Sequence, residues 1–219
     1  MAKIILSPLQ RKVLSILASD NNFTQNFYFT GGTVLANYYL HHRLSEDLDF
    51  FSEKEIDVFW LSILTKRIKE ITKADKIDAQ QSFNRNLVFF IFGEDVLKTE
   101  FTYFPFVQIE KPQIIDGLKI DSLIDISVNK FFTIYQKPSA RHFIDLYLIL
   151  KKKEIKWEEL FKMARIKFDV AIDPIQLGSQ LMMAEQAEDM PKMIIKLDKK
   201  EWQNYFLRKA RELKIKIKK

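Results

Sequence analysis

Cysteine is absent from this chain of 219 residues, and glycine, proline and histidine are scarce, at 5, 6 and 3 residues. The lack of cysteine excludes disulfides, thiolate zinc sites and cysteine nucleophiles, and it is compatible with a reducing compartment. So little glycine and proline argues against long disordered linkers. No run of about 18 uncharged apolar residues occurs, and the N-terminus lacks the hydrophobic run and cleavage site of a signal peptide. We therefore expect a cytoplasmic protein without membrane contact.

The composition that is present allows a large core and places positive charge at one end. Hydrophobic residues make up 47% of the chain, and 19 of its residues are phenylalanine. The net charge of +6 is uneven: residues 192–219 carry eleven basic and three acidic residues, a net charge of +8, and the other 191 residues carry −2. A basic end on a near-neutral core suits contact with a nucleic-acid backbone. A solvated helix that keeps the protein soluble explains the same charge equally well.

The segment 29–51 is the most informative part of the chain, because it joins the pair Gly31-Gly32 to the carboxylates Asp47 and Asp49. Glycine lets a backbone approach a phosphate closely, and its amide can bind the phosphate. Residues i and i+2 of a strand point to the same face, so the two carboxylates would lie side by side and could hold magnesium. Such a pair is suited to phosphoryl or nucleotidyl transfer. The alternative is a solvent-facing acidic turn.

Hydrophobic periodicity divides the chain into a mixed α/β half, residues 1–120, and a helical half, residues 121–219. In the first half we predict helices at 8–19, 33–40 and 55–71 and strands at 26–30, 47–51, 87–92, 95–102, 114–115 and 118–120. In the second half we predict helices at 122–136, 139–152, 157–168, 174–187 and 198–214. The expected fold class is α+β, with a mixed β-sheet core flanked by helices and followed by a helical C-terminal part that ends in a basic tail.

Glu100 is a candidate third carboxylate. In the strand 95–102 it shares a face with Val96, Lys98 and Thr102. If this strand neighbours the aspartate strand, Glu100 can ligate a metal or accept the proton of an attacking hydroxyl. The alternative is a pair between Glu100 and Lys98 on a solvated sheet surface.

Two charged residues lie in apolar helical sequence of the second half. Lys130 either extends outward or points into a cleft where it neutralises a triphosphate, and its apolar neighbours favour the cleft. Asp145 follows Arg141 by four residues, so an intrahelical salt bridge is the default interpretation. The apolar surroundings of Asp145 indicate a dedicated partner instead, and Lys130 is the obvious candidate. The three histidines, His41, His42 and His142, lack metal-ligand spacing, and we expect them on helix surfaces or beside caps.

These motifs resemble a known family. Residues 30–36 (TGGTVLA) and 42–51 (HRLSEDLDFF) are similar to the signature of the AbiEii/AbiGii-type abortive-infection nucleotidyltransferase toxins, which belong to the DNA polymerase β-like nucleotidyltransferase superfamily. Residues 125–130 (DISVNK) and 141–150 (RHFIDLYLIL) agree with that family in order and character. The resemblance implies a nucleotidyltransferase core and a toxin of a toxin–antitoxin pair. Some members of the family transfer nucleotides to tRNA 3′ ends.

The resemblance also implies roles for individual residues. It implies that Asp47 and Asp49 are the metal-binding pair, and it places Lys130 and Asp145 at the remaining active-site positions. We interpret the chain as a nucleotidyltransferase in which two magnesium ions, with manganese as an alternative, bind the triphosphate of an NTP and activate an acceptor hydroxyl. Lys130 would offset charge on the β- and γ-phosphates, and Asp145 would orient Lys130. Glu100 would be the third carboxylate.

The remaining nucleotide contacts would come from the segment around the glycine pair. The backbone of Gly31, Gly32 and Thr33 would cradle the phosphates, Thr33 or Ser45 would offer a hydroxyl, and Arg43 would contact the nucleotide. The expected acceptor is RNA, a tRNA 3′ end, and an antitoxin would be a protein partner. Two alternatives stay open: a small-molecule nucleotidyltransferase of the antibiotic-modifying kind, and a non-enzymatic protein that binds nucleic acid or a partner on a degenerate core.

Overall fold

The computed structural model of the protein describes residues 5–217, with side chains to residue 213. Residues 1–4, part of the N-terminus predicted to lack a signal peptide, and Lys218 and Lys219 of the basic end lie outside the described residues. Two compact units can be distinguished. The first unit contains the chain up to Tyr39 and Ser45–Ser122, and the second contains Leu40–Leu44 and the chain from Leu123 onward.

The first unit is built on a mixed β-sheet, which has seven strands within the described residues. Its helices are α1 (Pro8–Ala18), α2 (Asn21–Asn26), α3 (Gly31–Val34), which continues as a π-helical turn (Leu35–Leu40), and α4 (Val58–Thr72). Its strands are β1 (Tyr28–Thr30), β2 (Leu48–Ser52), β3 (Lys76–Ser82), β4 (Arg85–Phe92), β5 (Asp95–Tyr103), β6 (Gln113–Ile115) and β7 (Leu118–Ile120). The strand order is β3-β4-β5-β2-β1-β7-β6; the β2–β5 and β1–β7 pairs are parallel and the other pairs are antiparallel.

Aromatic packing decides which face of this sheet is buried. Phe50 of β2 contacts Phe101 of β5 with ring centroids 5.2 Å apart, and Phe23 of α2 packs edge-on against Phe50 at 5.1 Å. Phe27 stacks on Trp60 of α4 and also meets Phe101. Helices α2 and α4 therefore cover the phenylalanine face of the central strands. Since side chains alternate along a strand, the residues between these phenylalanines lie on the opposite face.

Two elements of the first unit were not predicted. Helix α2, which begins at the N-cap Asp20, occupies the start of the predicted strand 26–30, so β1 begins only at Tyr28. Strand β3 escaped prediction because it is an edge strand with six of its seven residues exposed, and it lacks the apolar alternation that marks a half-buried strand. Local chemistry does account for α1, which starts at a capping box between Ser7 and Gln10 with Pro8 at its first position.

The second unit is helical. Its helices are α5 (Leu123–Gln136), α6 (Ala140–Lys153), α7 (Trp157–Phe168), α8 (Pro174–Met182), which is followed by a 3₁₀ turn (Met183–Glu185), and α9 (Lys199–Ile217). Phe143 of α6 stacks on Trp202 of α9 in its core. A mixed sheet flanked by helices and followed by a helical part confirms the predicted α+β class. Within residues 5–217, no helix has the length and apolar character needed to cross a membrane.

Candidate active site

Asp49 lies in the middle of the sheet, opposite Thr30 of β1 and Glu100 of β5 in the strand register. Its neighbours Leu48 and Phe50 are fully buried on the other face. The Asp49 carboxylate packs directly against Gly31, so a Cβ at position 31 would overlap it. Gly31 also has a φ of +78°, which residues with a side chain adopt only at a cost. Both the contact with Asp49 and the positive φ therefore require glycine at position 31. The contact of the glycine backbone with phosphate stays a prediction.

Asp47 comes one residue before β2, whereas the sequence predicted it inside the strand. Its carboxylate forms an ion pair with Lys98, with 2.8 Å between Oδ2 and Nζ, and the two side chains are 36% and 30% exposed. Lys98 lies two positions before Glu100 on β5, and Glu100 is the register partner of Asp49. Asp47 and Asp49 therefore lie along the same face of the sheet. Their binding of a metal stays a prediction.

Thr33 and Gln10 hold the segment that carries Asp47. The buried Thr33 hydroxyl donates to the Asp47 carbonyl and lies 2.8 Å from Ser45 Oγ. The Gln10 amide donates to the carbonyls of Ser45 and Glu46 at 3.2 and 3.0 Å. The structure thus favours a positioning role for Thr33, whose hydroxyl was predicted to face phosphate. The role of Gln10 was not predicted. Gln10 lies on the apolar face of α1, three and seven residues before Val13 and Leu17, and this position is the sequence feature that could have identified it.

Glu100 is bound on both carboxylate oxygens. Arg85 donates to Oε1 and Oε2 at 2.7 and 2.6 Å, and the Thr102 hydroxyl donates to Oε1 at 2.8 Å. Burial alone raises the pKa of Glu100, but the hydrogen bonds from Arg85 and Thr102 and the charges of Arg85 and Lys98 outweigh it, so the pKa lies below its usual value. The alternative pairing of Glu100 with Lys98 is replaced by Glu100–Arg85 and Lys98–Asp47. A role for Glu100 as a third carboxylate stays a prediction.

Two carboxylates of this sheet face, Asp47 and Asp49, are suited to bind magnesium. Within the described residues, no group of three or more acidic, histidine or cysteine side chains is placed to hold a metal ion. Magnesium commonly takes only one or two protein carboxylates and completes its shell with water and substrate phosphates. Asp47 and Asp49 meet that requirement, and the partial exposure of Asp47 leaves room for a phosphate and water.

A buried carboxylate that the sequence did not single out supports the neighbouring strand. Asp121, which directly follows β7, is fully buried and accepts hydrogen bonds from the Thr30 hydroxyl at 2.6 Å and from the Gln108 amide at 2.8 Å. Thr30 is the register partner of Asp49 in β1. Asp121 therefore stabilises the strand that lies beside the candidate metal ligand.

Asp145 is the centre of a polar cluster in the second unit. Its carboxylate is fully buried; Oδ1 accepts from Arg43 Nε at 2.7 Å and from His42 Nε2 at 2.8 Å. Oδ2 accepts from Arg43 Nη2 at 2.8 Å and lies 2.9 Å from Lys130 Nζ. The expected pair between Asp145 and Lys130 is thus present. Burial raises the pKa of Asp145, but the Lys130 charge and the bonds from Arg43 and His42 hold it well below its usual value.

The same cluster holds two residues of the segment Leu40–Leu44. His42, which was expected on a helix surface or beside a cap, lies two residues after the π-helical turn and is fully buried. Arg43, which was predicted to contact nucleotide, is 5% exposed, and it donates to Asp145 and to the Leu44 carbonyl. The backbone of this segment is also bonded to the chain before α9, through Leu44 N–H to the Lys192 carbonyl and Ile194 N–H to the His42 carbonyl. Arg43 and His42 thus anchor their segment inside the second unit.

Replacing Asp145 tests this anchor. In Asp145→Asn the carboxylate charge is lost while Arg43 stays buried and Lys130 stays mostly buried, so we expect the free energy of unfolding to fall by about 3–5 kcal/mol. The measurement is a urea titration. The control is Glu201→Gln, whose carboxylate is 48% exposed and 3.8 Å from Lys151, and which should change stability by less than about 0.5 kcal/mol. A loss below about 1 kcal/mol for Asp145→Asn would remove Asp145 from this role.

His142 gives the stability a pH dependence. Burial, with the charges of Lys130 and Arg141, lowers the pKa of His142 from 6.5 to about 3. The unfolded chain therefore binds a proton below pH 6.5 that the folded chain does not, so this contribution is intact above pH 6.5 and is lost as the pH falls toward 3. We expect the wild type to lose about 1–2 kcal/mol more than His142→Gln between pH 7 and pH 5. Urea titrations at the two pH values measure this, and equal losses would contradict it.

Comparisons with known proteins identify the family of this chain. The family model described as Nucleotidyl transferase AbiEii toxin, Type IV TA system matches residues 12–213. An uncharacterized protein of Aquifex aeolicus strain VF5 is 28% identical over 207 residues, which are 93% of this chain and 95% of that protein.

Two solved structures have a similar fold. One is an H. pylori protein described as a nucleotidyltransferase, with a TM-score of 0.61, 21% identity, and coverage of 97% of this chain and 98% of that chain. The other is MenT4, a nucleotidyltransferase toxin of Mycobacterium tuberculosis H37Rv, with a TM-score of 0.52, 14% identity, and coverage of 94% and 83%. These likenesses support the fold, and the family match confirms the resemblance seen in the sequence. The chain therefore belongs to the AbiEii nucleotidyltransferase toxins of type IV toxin–antitoxin systems.

Proposed function

We propose that this nucleotidyltransferase moves a nucleoside monophosphate from an NTP to an RNA acceptor, the 3′ end of a tRNA, in a reaction that depends on magnesium. The observation that carries the proposal is the placement of Asp47 and Asp49 along one sheet face, with Asp49 packed against Gly31. In such a reaction the acceptor hydroxyl attacks the α-phosphorus in line, the bond to the β-phosphate oxygen breaks, and pyrophosphate leaves. Family membership supports the transfer chemistry and an antitoxin partner.

Each residue of the sheet face would have a defined task. Asp47 and Asp49 would hold one or two magnesium ions, with manganese as an alternative. When bound, the metal supplies charge neutralisation on the phosphates and lowers the pKa of the acceptor hydroxyl. Gly31 is half-buried and has no side chain, which lets a phosphate approach its backbone. Thr33 and Gln10 keep the Asp47 segment in place through the carbonyls they bind.

Lys130 remains the candidate for offsetting triphosphate charge. Its side chain is 12% exposed and its ammonium lies 2.9 Å from Asp145. Lys130 shares the Asp145 carboxylate with Arg43 and His42, so the charge of Lys130 is only partly neutralised by its partner. In this proposal Asp145 is a positioning residue, because it acts on the nucleotide only through Lys130.

Replacing Asp49 tests the chemistry. With labelled NTPs, magnesium and total RNA, we expect Asp49→Asn to lose at least about a hundredfold of the label transferred, since one metal ligand loses its charge. The control is Asp78→Asn in the exposed edge strand β3, which should transfer label as the wild type does. Far-UV circular dichroism checks that both variants fold. Full activity in Asp49→Asn would contradict the assignment of Asp47 and Asp49 as the metal ligands.

The basic end of the chain favours RNA over a small-molecule acceptor, and salt separates the two. Lys200, Arg208 and Arg211 are exposed on α9. If they contact an RNA backbone, replacing all three with Gln should lower the slope of log affinity against log salt by about 2, since each released counterion contributes about 0.7 for single strands.

The matched control for the salt experiment replaces three cations of the first unit, Lys66, Arg67 and Lys76, with Gln. This variant loses the same formal charge and should keep the wild-type slope. The measurement is tRNA binding by fluorescence anisotropy between 50 and 200 mM salt, about the range over which phosphate contacts weaken. A binding constant that does not change with salt would favour the small-molecule alternative.

A further inference from the structure

We propose that Lys98 is an exchangeable counter-ion of the catalytic acids: it neutralises Asp47 in the absence of nucleotide and turns to the triphosphate when an NTP arrives with its metal. The inference rests on the proposed function, since it takes Asp47 and Asp49 as the metal ligands. It adds a nucleotide-binding residue that the sequence motifs do not contain. It also predicts that metal and nucleotide bind cooperatively.

The exposure of the pair makes exchange feasible. The Lys98 and Asp47 side chains are 30% and 36% exposed, so water and a ligand can reach both. A contrasting pair exists in the second unit, where Lys167 and Asp125 lie 2.6 Å apart with exposures of 1% and 0%. Separating that buried pair would strand two charges away from water, which is costly. Water can solvate Lys98 and Asp47 as they separate, so their contact is weak enough to break during binding.

The charges on this face identify Lys98 as the counter-ion of Asp47. Two cations, Lys98 and Arg85, lie close to its three carboxylates. Arg85 donates to both oxygens of Glu100 through its planar guanidinium, a geometry that holds it in place. Lys98 contacts one oxygen of Asp47, at 2.8 Å, through an ammonium with three donors on a flexible stem. Lys98 is therefore the cation of this face that is suited to change partners.

Competition for Asp47 Oδ2 produces the coupling. While the Lys98 ammonium occupies this oxygen, a divalent cation that binds without nucleotide must share the carboxylate with another positive charge, and the two repel. A triphosphate brings its own negative charge, to which the Lys98 ammonium can turn as it leaves Asp47. Lys98 thus lowers the affinity for metal alone and raises the affinity for the nucleotide–metal complex.

The test uses Mn²⁺ as the probe, with free Mn²⁺ measured by electron paramagnetic resonance. In the absence of nucleotide, we expect Lys98→Met to bind Mn²⁺ about tenfold more tightly than the wild type, because one competing positive charge is gone. With Mn²⁺ saturating, we expect Lys98→Met to bind α,β-methylene NTP analogues about tenfold more weakly, since one cation no longer meets the triphosphate. The four bases are tested separately. Lys98→Arg keeps the charge and should resemble the wild type in Mn²⁺ affinity.

The matched control is Lys66→Met, an exposed lysine on α4, which packs on the opposite face of the sheet. It should leave both affinities unchanged. Opposite shifts in the two affinities support the exchange. Changes of the same sign, or no change in either affinity, overturn it. If methionine at position 98 disturbs the fold, both affinities are measured with Lys98→Gln, whose side chain is polar, and the same outcomes apply.

Asp49→Asn separates failure of this inference from failure of the proposed function. We expect Asp49→Asn to lose Mn²⁺ binding in both the wild-type and the Lys98→Met background. If Asp49→Asn keeps its Mn²⁺ affinity, the proposed metal pair is wrong and the inference falls with it. If Asp49→Asn loses Mn²⁺ but Lys98→Met equals the wild type in both affinities, only the exchange is wrong.

Discussion

The burial of Leu48 and Phe50 is the constraint on which the candidate site depends. Both side chains are fully buried, and Phe50 lies among Phe23, Phe29 and Phe101. Because strand side chains alternate, these two anchors force Asp49 to the opposite face. A slip of one residue in the strand register would drive the carboxylate into the aromatic core, where an isolated charge is very costly. The hydrophobic packing of the sheet therefore places the acid.

Asp145 of the second unit and Asp47 of the first unit have opposite surroundings. Asp145 is fully buried and shared among Lys130, Arg43 and His42, so it anchors the segment Leu40–Leu44. The Asp47 carboxylate pairs with Lys98, and both side chains are partly exposed. Charges removed from water need several partners and become rigid, whereas partly solvated charges can change partners at little cost. A stable architecture and an adaptable ligand site can thus use the same residue type.

The glycine segment and the acidic segment of the candidate site are coupled by direct contacts. The Asp49 carboxylate fills the space that any Cβ at position 31 would need. The glycine therefore makes room for this carboxylate, in addition to any room it leaves for a phosphate. Thr33, two residues later, binds the carbonyl of Asp47. The glycine motif and the acidic motif, separated in sequence by more than ten residues, are therefore parts of one packed unit. This coupling gives a physical reason for both motifs to occur together in this chain.

The sequence by itself determined the local features of this protein. The capping box of α1, most of the helices, the strand that carries Asp49 and the family signature all follow from residues close together in the chain, where propensity and periodicity act. Even the pair between Lys130 and Asp145 could be inferred, because a charge in apolar sequence demands a partner.

Only the tertiary structure decided which cations meet which acids: Lys98 with Asp47, Arg85 with Glu100, and Arg43 with Asp145. These partners lie 51, 15 and 102 residues apart. Strand register and helix packing bring them together, and no local pattern of residues records that choice.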